Sequence, residues 1–319
     1  MITLVIKRCL WVVVPILVIL SVLSGLADAG FKHSRTWEYG VWNDIYDGRI
    51  NADLLVMGSS RAVVQVSPLI LDSALGLSTY NIGMAAWPFR MQYSRLKVYL
   101  QHNRKPRYIV EVMDLHTLGD REDLYGYNQF YPYLGDPLIR EACKGYEGEP
   151  GYWECRVPFL KYMHNPAFCF QGCTEYVKSL LNRSETDRIK GYQPGDIPWD
   201  NTFDALTTQS APHSIVLATD TPSIRAFNDF LGFCRDNHIG LILLYPPEYH
   251  DILRYFRNRD TIMSLYQELA TGGRAPFLDY TDDTLGLHRG YYYNSQHLNK
   301  TGAEIFSRQL ADTLKYLLR

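Results

Sequence analysis

Short runs rich in aliphatic and β-branched residues alternate with segments of helical periodicity along this chain. The runs cover residues 52–58, 78–83, 107–114, 239–246 and 275–281, and the helical candidates cover 67–75, 88–103, 220–237, 248–270 and 300–318. Several runs are continuously apolar, as expected for strands whose two faces are both covered by helices. The alternation therefore predicts an α/β fold, a three-layer α/β/α sandwich with a mainly parallel, flavodoxin-like sheet.

The alternation of strands and helices breaks between about residues 118 and 212. This region is rich in aromatic residues and carries turn-forming segments such as EGEPG and GYQPGDIP. It is too long for a simple loop and too aromatic for a disordered segment. We therefore interpret residues 119–211 as a large irregular insertion, a lid at the carboxyl edge of the sheet, within an α/β domain formed by residues 50–118 and 212–319.

The N-terminal segment decides the compartment of the rest of the chain. After Lys7 and Arg8 comes CLWVVVPILVILSVLSGLA, an uncharged apolar run of about 19 residues, long enough to cross a bilayer as a helix. Because the basic residues precede the run, the positive-inside rule predicts that the chain beyond residue 30 is exported, to the periplasm or the cell surface. The run ends in ADA (27–29), which resembles a signal-peptidase site. Residues 1–30 are therefore expected to be a membrane anchor or, if cleaved, the signal peptide of a secreted protein.

The cysteines agree with an oxidising compartment. Four of the six lie in the insertion: Cys143, Cys155, Cys169 and Cys173. Clustered cysteines in an irregular region of an exported chain predict two disulfides, with three possible pairings. A zinc site is the alternative, but the spacing matches no common pattern of zinc ligands.

Charge and aromatic content bear on the class of partner. The formal net charge of −2 provides no electrostatic attraction to nucleic acid, so no such partner is expected. The chain contains 24 tyrosines, a residue that suits sugars because its ring stacks while its hydroxyl forms hydrogen bonds. Many tyrosines, however, simply lie at the boundary of a core.

Polar residues follow several of the predicted strands. Ser60 follows the first strand and Gly83 the second, Asp114 and His116 follow the third, and His297 precedes the last helix. In open parallel sheets, ligands bind at the carboxyl ends of the strands. A serine and a histidine at one edge are the elements of nucleophilic catalysis. The structural alternatives are a helix N-cap for Ser60 and a turn glycine for Gly83.

These residues resemble the conserved blocks of the SGNH (GDSL-type) hydrolase superfamily, and within it the membrane-anchored branch associated with O-acetylation of cell-envelope polysaccharides. The segment GSS (58–60) is similar to the first block, and NSQHLN (294–299) is similar to the last. The resemblance assigns Ser60 as the nucleophile, His297 as the general base, and the backbone N–H groups of Ser60 and Gly83 as the oxyanion hole. It covers roughly residues 50–118 and 212–318.

The chain departs from this family pattern in two places. The family's triad aspartate falls on Asn294, an amide that can orient the imidazole but cannot neutralise the imidazolium. Another acid could replace it, and the nearby candidates are Asp279, Asp282 and Asp283. The asparagine of the family's third block has no clear match, since the third strand ends in VMDLH (112–116). Asp114 cannot donate to an oxyanion when ionised, whereas His116 can.

The resemblance implies an acyl-Ser60 intermediate, released to water by an esterase or to a sugar hydroxyl by an O-acyltransferase. Such chemistry needs no metal or diffusible cofactor. The implied partners are an acylated envelope carbohydrate and a membrane-bound O-acyltransferase that supplies acetyl groups. The alternative is a catalytically impaired relative that binds glycan or scaffolds an envelope complex, as Asn294 suggests.

Two further residues have a structural and a functional interpretation. Arg61 adjoins the proposed nucleophile and either binds an anionic sugar or pairs with an acidic side chain; the pairing is favoured. Asn299 either contacts a ligand or caps the last helix, because asparagine is a strong N-cap residue.

Overall fold

The computed structural model describes residues 2–119 and 121–318. Its helices are α1 (Ile2–Phe31), α2 (Trp37–Tyr46), α3 (Ser60–Gln65), α4 (Pro68–Leu75), α5 (Phe89–His102), α6 (Pro137–Cys143), α7 (Leu160–Met163), α8 (Pro166–Leu180), α9 (Thr202–Gln209), α10 (Thr221–Asp236), α11 (His250–Leu253), α12 (Arg259–Gly273) and α13 (Lys300–Leu317). Its strands are β1 (Leu54–Gly58), β2 (Thr79–Asn81), β3 (Tyr108–Val112), β4 (Gly240–Tyr245), β5 (Phe277–Asp279), β6 (Tyr292–Asn294) and β7 (His297–Leu298). Short 3₁₀-helices lie at Tyr127–Tyr133, Thr284–Leu287 and Arg289–Tyr291.

The chain divides into two compact units. One, the anchor unit, comprises Met1–Asn43 and Glu122–Asp187, and the other, the sheet unit, comprises Asp44–Arg121 and Arg188–Arg319. The part of the insertion from 122 to 187 therefore belongs with the N-terminal helix. The rest of the insertion belongs with the sheet, where the N–H of Asn81 donates to the carbonyl of Lys190 (2.9 Å) and the N–H of Gln193 to the carbonyl of Val63 (2.9 Å).

The sheet unit is built on a five-stranded sheet with the order β2-β1-β3-β4-β5. All four neighbouring pairs are parallel. The central strands β1 and β4 are continuously apolar, and β3 is apolar apart from Glu111, because helices cover both of their faces. The predicted parallel sheet in an α/β/α sandwich is confirmed, and all five of its strands lie within the predicted runs.

Alternate residues of the strands face the two helical layers. Residues such as Val56, Val110 and Leu244 pack with α3, α4 and α13, whose apolar side chains, including Phe306 and Leu310, are buried in the same cluster. Helices α5, α10 and α12 contact one another and the sheet in the other layer. The carboxyl ends of β1, β3 and β4 consequently open at one edge, between two supporting layers.

The helix predicted over 248–270 is divided into α11 and α12. The residues between them are not helical and pair with the segment near residue 215, where the N–H of Arg257 donates to the carbonyl of Ile215 (2.7 Å). The Asn258 side chain donates to the carbonyl of Leu217 (2.9 Å) and accepts from its N–H (2.8 Å). These two bonds replace helical ones, which the apolar periodicity could not reveal.

The anchor unit is organised by the contact between α1 and α8. A Cβ at Gly30 would overlap the backbone oxygen of Gly172, so the two backbones approach as closely as glycine permits. Polar bonds add to this contact: Ser24 Oγ donates to the carbonyl of Pro158 (2.6 Å), and Asp28 accepts from Lys161 Nζ (2.6 Å). The last two turns of α1 are thus part of a folded unit.

The rest of α1 is long and apolar enough to span a membrane. The candidate span covers Ile6–His33, with a mean hydropathy of 2.6 over its most apolar stretch. From Ile6 to Leu23 its large apolar side chains are mostly exposed. An exposed apolar helix of this length is typical of a signal anchor or membrane span.

The prediction of two disulfides is wrong. Cys143, Cys155, Cys169 and Cys173 are all free thiols. The region that holds them is largely helical rather than irregular: Cys143 ends α6, and Cys169 and Cys173 lie one turn apart on α8. Their clustering reflects the packing of these helices, with the Cys143 side chain buried and Cys173 Sγ 3.5 Å from the carbonyl of Leu23.

Glu111 on β3 allows the burial of the sheet between its helical layers to be tested. The side chain is fully buried and neither carboxyl oxygen has a hydrogen-bond partner among the described residues. Burial raises the pKa of Glu111 well above its usual value, and the Asp114 carboxylate acts in the same direction. Because the unfolded chain releases this proton at lower pH than the folded chain, the free energy of unfolding falls as pH rises above the usual glutamate pKa.

We expect Glu111→Leu to raise the free energy of unfolding at pH 8 by about 1–3 kcal/mol, since it removes an unpaired buried polar group. The gain should be smaller at pH 5. Urea unfolding at both pH values measures it, with Glu268→Leu on the exposed face of α12 as the control. A gain that is equal at the two pH values would contradict the buried-acid interpretation.

Candidate active site

The carboxyl end of β1 is shaped by Gly58. Its φ of 138° is a conformation that favours glycine, and a Cβ there would lie 2.6 Å from the carbonyl oxygen of Val112 on the neighbouring strand. The chain can therefore leave the sheet at once and begin α3 at Ser60. The turn brings the Ser60 side chain to the carboxyl edge of the sheet.

Ser60 meets His297 at this edge. The Oγ of Ser60 lies 2.7 Å from Nε2 of His297, although 237 residues separate them in sequence. On the other side of the ring, Nδ1 of His297 lies 2.9 Å from Oδ1 of Asn294. Serine, histidine and a third oriented group thus stand in one hydrogen-bonded row, which is the geometry of a nucleophile, its base and the group that orients the base.

The bonds to Asn294 define the state of the imidazole. Asn294 Oδ1 also accepts the backbone N–H groups of Gln296 (3.1 Å) and His297 (3.0 Å), so it acts as an acceptor. Nδ1 of His297 must then carry the ring proton. The Nε2 atom keeps its lone pair and can accept the proton of the Ser60 hydroxyl.

His297 is held as a neutral imidazole. Burial lowers the pKa of His297 to about 4, and the positive charge of Arg61 acts in the same direction, against the carboxylates of Asp114 and Asp200. The ring also stacks on Tyr293, with centroids 5.3 Å apart and an interplanar angle of 4°. Tyr293 was not singled out from the sequence; the YYY run before Asn294 was the available signal.

Arg61 pairs with an acid rather than projecting into solvent. The side chain is almost fully buried, with Nη1 3.1 Å from Oε1 of Glu248 and its guanidinium 4.8 Å from the ring centre of Tyr245. A second amino group donates to the carbonyls of Pro246 and Pro247. These contacts correspond to the pairing that the sequence favoured, and they join α3 to the loop after β4.

Gly83 and Ala86 occupy different positions with respect to the site. The N–H of Gly83 donates to Oδ1 of Asn81 (2.9 Å), so it is already engaged. Ala86 lines the cavity that contains Ser60 and has a φ of 65°, a strained value for an L-residue. Its N–H has no hydrogen-bond partner among the residues described. Backbone strain of this kind concentrates at functional sites, but no sequence motif marks Ala86.

The cavity beside Ser60 has a volume of about 390 Å³. Asp114 and His116, predicted at this edge, both line it, together with Trp87 and Arg121. The Asp114 carboxylate accepts from the Ser59 hydroxyl and from the N–H of His116 (2.7 Å). Asp114 therefore organises the loop after β3 beside the cavity, with both of its carboxylate oxygens engaged.

The remaining predicted residues have structural roles. Asn299 caps α13, since its Oδ1 accepts from the N–H of Gly302 (3.0 Å). Of the alternative acids, Asp279 accepts from Thr281 and Asp283 from the N–H of Leu285, and the partner of His297 Nδ1 is Asn294 rather than Asp279, Asp282 or Asp283. Among the described residues, no three His, Cys, Asp or Glu side chains are grouped so as to hold a metal ion.

Comparison with known proteins gives a structural likeness alone. No family model matches the chain, and no curated protein matches it. A crystal structure of a "putative acylhydrolase" from Bacteroides fragilis aligns over 82% of this chain and 87% of its own, with 11% sequence identity and a TM-score of 0.34. A likeness of this size says nothing about the chemistry of the present chain.

The protonation of His297 can be tested without any substrate. We expect its imidazole to titrate at about pH 4, well below the usual 6.5. Replacing Asn294 with aspartate should raise this pKa by about 1–3 units, since an adjacent carboxylate favours the imidazolium. Imidazole nitrogen NMR measures both values, with His297→Gln to assign the signal. A His297 pKa near 6.5 in the wild-type chain would contradict the assigned environment.

Proposed function

We propose that this protein is an extracytoplasmic serine esterase or O-acyltransferase that forms an acyl intermediate on Ser60. The observation that carries the proposal is the hydrogen-bonded row Ser60–His297–Asn294, with contacts of 2.7 and 2.9 Å. A helix N-cap serine has no need of a histidine at its hydroxyl. A neutral imidazole with its lone pair directed at that hydroxyl can act as a general base.

The proposed reaction begins when Ser60 Oγ attacks the carbonyl carbon of an ester while its proton passes to Nε2 of His297. The tetrahedral intermediate collapses as His297 returns that proton to the departing alcohol oxygen, leaving an ester on Ser60. Water or a sugar hydroxyl then attacks this ester, again giving its proton to His297. Collapse of the second intermediate returns the proton to Ser60 and releases an acid or a new ester.

The oxyanion of each intermediate needs hydrogen-bond donors. The N–H of Ser60, at the first position of α3, has no partner in the described parts of the chain and supplies one donor in the proposal. Gly83 was predicted as the second donor, but its N–H is engaged by Asn81. We therefore assign the second position to the N–H of Ala86, which lines the same cavity and has a positive φ of 65°.

The proposed substrate is an acyl ester of a cell-envelope carbohydrate, and the proposed acyl group is acetyl. The apolar N-terminal helix supports attachment of the chain to a membrane. The cavity of about 390 Å³ combines an aromatic wall at Trp87 with polar groups at Asp114 and His116, which suits a sugar hydroxyl more than an alkyl chain. A membrane-bound O-acyltransferase remains the proposed source of acetyl groups. Exclusion of water and the hold on the acceptor decide between hydrolysis and transfer.

A second candidate function is a binding protein for acylated glycan that does not turn over. Asn294 favours it, because an amide leaves the imidazolium that forms on His297 without a counter-charge. The acceptor oxygens of Asp114 beside the site act in the same direction, since a carboxylate repels an oxyanion.

Hydrolysis of p-nitrophenyl acetate by the full chain in detergent separates the two functions. We expect Ser60→Ala and His297→Ala each to lower kcat/KM by at least about 10²-fold. Ser73→Ala, on the exposed face of α4, should leave it unchanged. A fluorophosphonate probe should label the peptide that contains Ser60. Equal turnover by wild type and both site variants would rule out the enzyme function.

Asn294→Asp provides the complementary gain-of-function test. A carboxylate at this position would keep the bond to Nδ1 of His297 and stabilise the imidazolium as it forms. We expect kcat to rise by about 10–10²-fold at neutral pH, because the amide already fixes the tautomer and only stabilisation of the imidazolium is gained. The acidic limb of the pH profile should move upwards with the His297 pKa. Asn294→Ala, which removes the group that orients the imidazole and adds no charge, should have a kcat below that of wild type. A fall in kcat with Asn294→Asp would show that the amide itself is required.

A further inference from the structure

An apolar groove lies in the anchor unit, where α1 meets the segment that contains α7 and α8. It has a volume of about 460 Å³ and is lined by Leu20, Leu23, Met163, Cys169, Phe170 and Cys173, among others. Met163 is 61% and Phe170 75% exposed, values unusual for side chains of this kind. The groove is an exposed apolar surface of a kind that marks an interaction site.

The polar groups of the groove are already satisfied. The Ser24 hydroxyl donates to the carbonyl of Pro158 (2.6 Å), and the Tyr162 hydroxyl donates to Asp28 (2.6 Å). The groove therefore offers an occupant apolar contact and no directional hydrogen bond from these two residues. A hydrocarbon chain meets that requirement, whereas a sugar or a peptide backbone would leave its own polar groups unpaired.

The position of the groove along α1 gives its depth in a bilayer. Beyond Lys7 and Arg8, the exposed apolar stretch runs from Leu10 to Leu23, which at the rise of an α-helix spans about 20 Å. The hydrocarbon core of a bilayer is about 30 Å thick. With Leu10 at the near boundary of the core, Leu20 and Leu23 lie in its far half, and Met163 and Phe170 line the groove beside them.

We propose that this groove is immersed in the extracytoplasmic leaflet and is occupied by the acyl chain of a membrane phospholipid. The apolar surface is continuous: residues of α1 form one wall of the groove, and side chains of α7 and α8 form the other. The anchor unit then contacts the membrane by a surface, rather than through a single helix. Because the last turns of α1 belong to this surface, cleavage after residue 29 would remove one of its walls.

Photo-crosslinking tests the occupant. The full chain carries benzoyl-phenylalanine at position 170 and is irradiated in nanodiscs of phosphatidylethanolamine and phosphatidylglycerol. We expect a phospholipid adduct on the peptide containing residue 170, and one from the same probe at Val18, which is exposed on α1. The probe at Leu287, 60% exposed in the sheet unit, should give none.

The other outcomes each overturn the proposal. An adduct of position 170 with another protein, or with a second copy of the chain, would show a protein-binding surface. Labelling at Val18 but not at position 170 would show that the groove lies outside the bilayer. No labelling at either position would show that α1 is not inserted in the bilayer. Equal labelling at Leu287 would show that the adduct is non-specific.

Native mass spectrometry measures occupancy independently of the probe. We expect phospholipid retained by the detergent-purified chain to fall at least about tenfold in Phe170→Glu, because a charge is placed in the groove. Val177→Glu is the matched control, since Val177 is exposed on the same helix but does not line the groove. Equal retention by the two variants would contradict the assignment of the groove.

Discussion

The close approach of β1 to β3 at Gly58 is the constraint on which the candidate site depends. A side chain at this position would collide with Val112 and with Ala62. Only glycine therefore allows β1 to end here and turn directly into α3. The turn determines where Ser60 begins its helix and which edge its hydroxyl faces. Every other member of the site is arranged around that hydroxyl, and His297 reaches it from the far end of the chain.

Buried charge is the second determinant of the site. Arg61 follows Ser60 directly and is paired with Glu248 in an almost fully buried contact. Removing one partner of such a pair leaves an uncompensated buried charge, at a cost of about 3–5 kcal/mol. The same guanidinium helps to keep His297 neutral. Arg61 therefore stabilises the fold and helps to lower the pKa of His297. Because its guanidinium is already paired with Glu248, it is not available to bind an anionic ligand.

The sequence predicted the features that depend on periodicity and on residue type at strand ends. It located all five strands of the sheet, and it selected Ser60, His297 and Asn294, which the fold brings together. It did not predict features that depend on backbone geometry or on packing between distant segments. The strained Ala86, the stacking of Tyr293 on His297 and the division of α11 from α12 are of this kind. The free cysteines belong here too, because a disulfide requires a specific geometry of the two side chains and clustering in sequence does not determine it.

The amide of Asn294 stabilises the neutral form of His297 better than its protonated form. It fixes the tautomer in which Nε2 of His297 accepts from Ser60, through bonds that are all in place. When the proton moves, however, the new imidazolium lies in a buried site beside Arg61, without a carboxylate at Nδ1. This penalty applies to every proton transfer of the proposed cycle, whether the acyl group goes to water or to a sugar. The cavity beside Ser60 therefore decides between water and a sugar hydroxyl. A sugar hydroxyl that is bound and oriented there reacts faster than one that is not held in position.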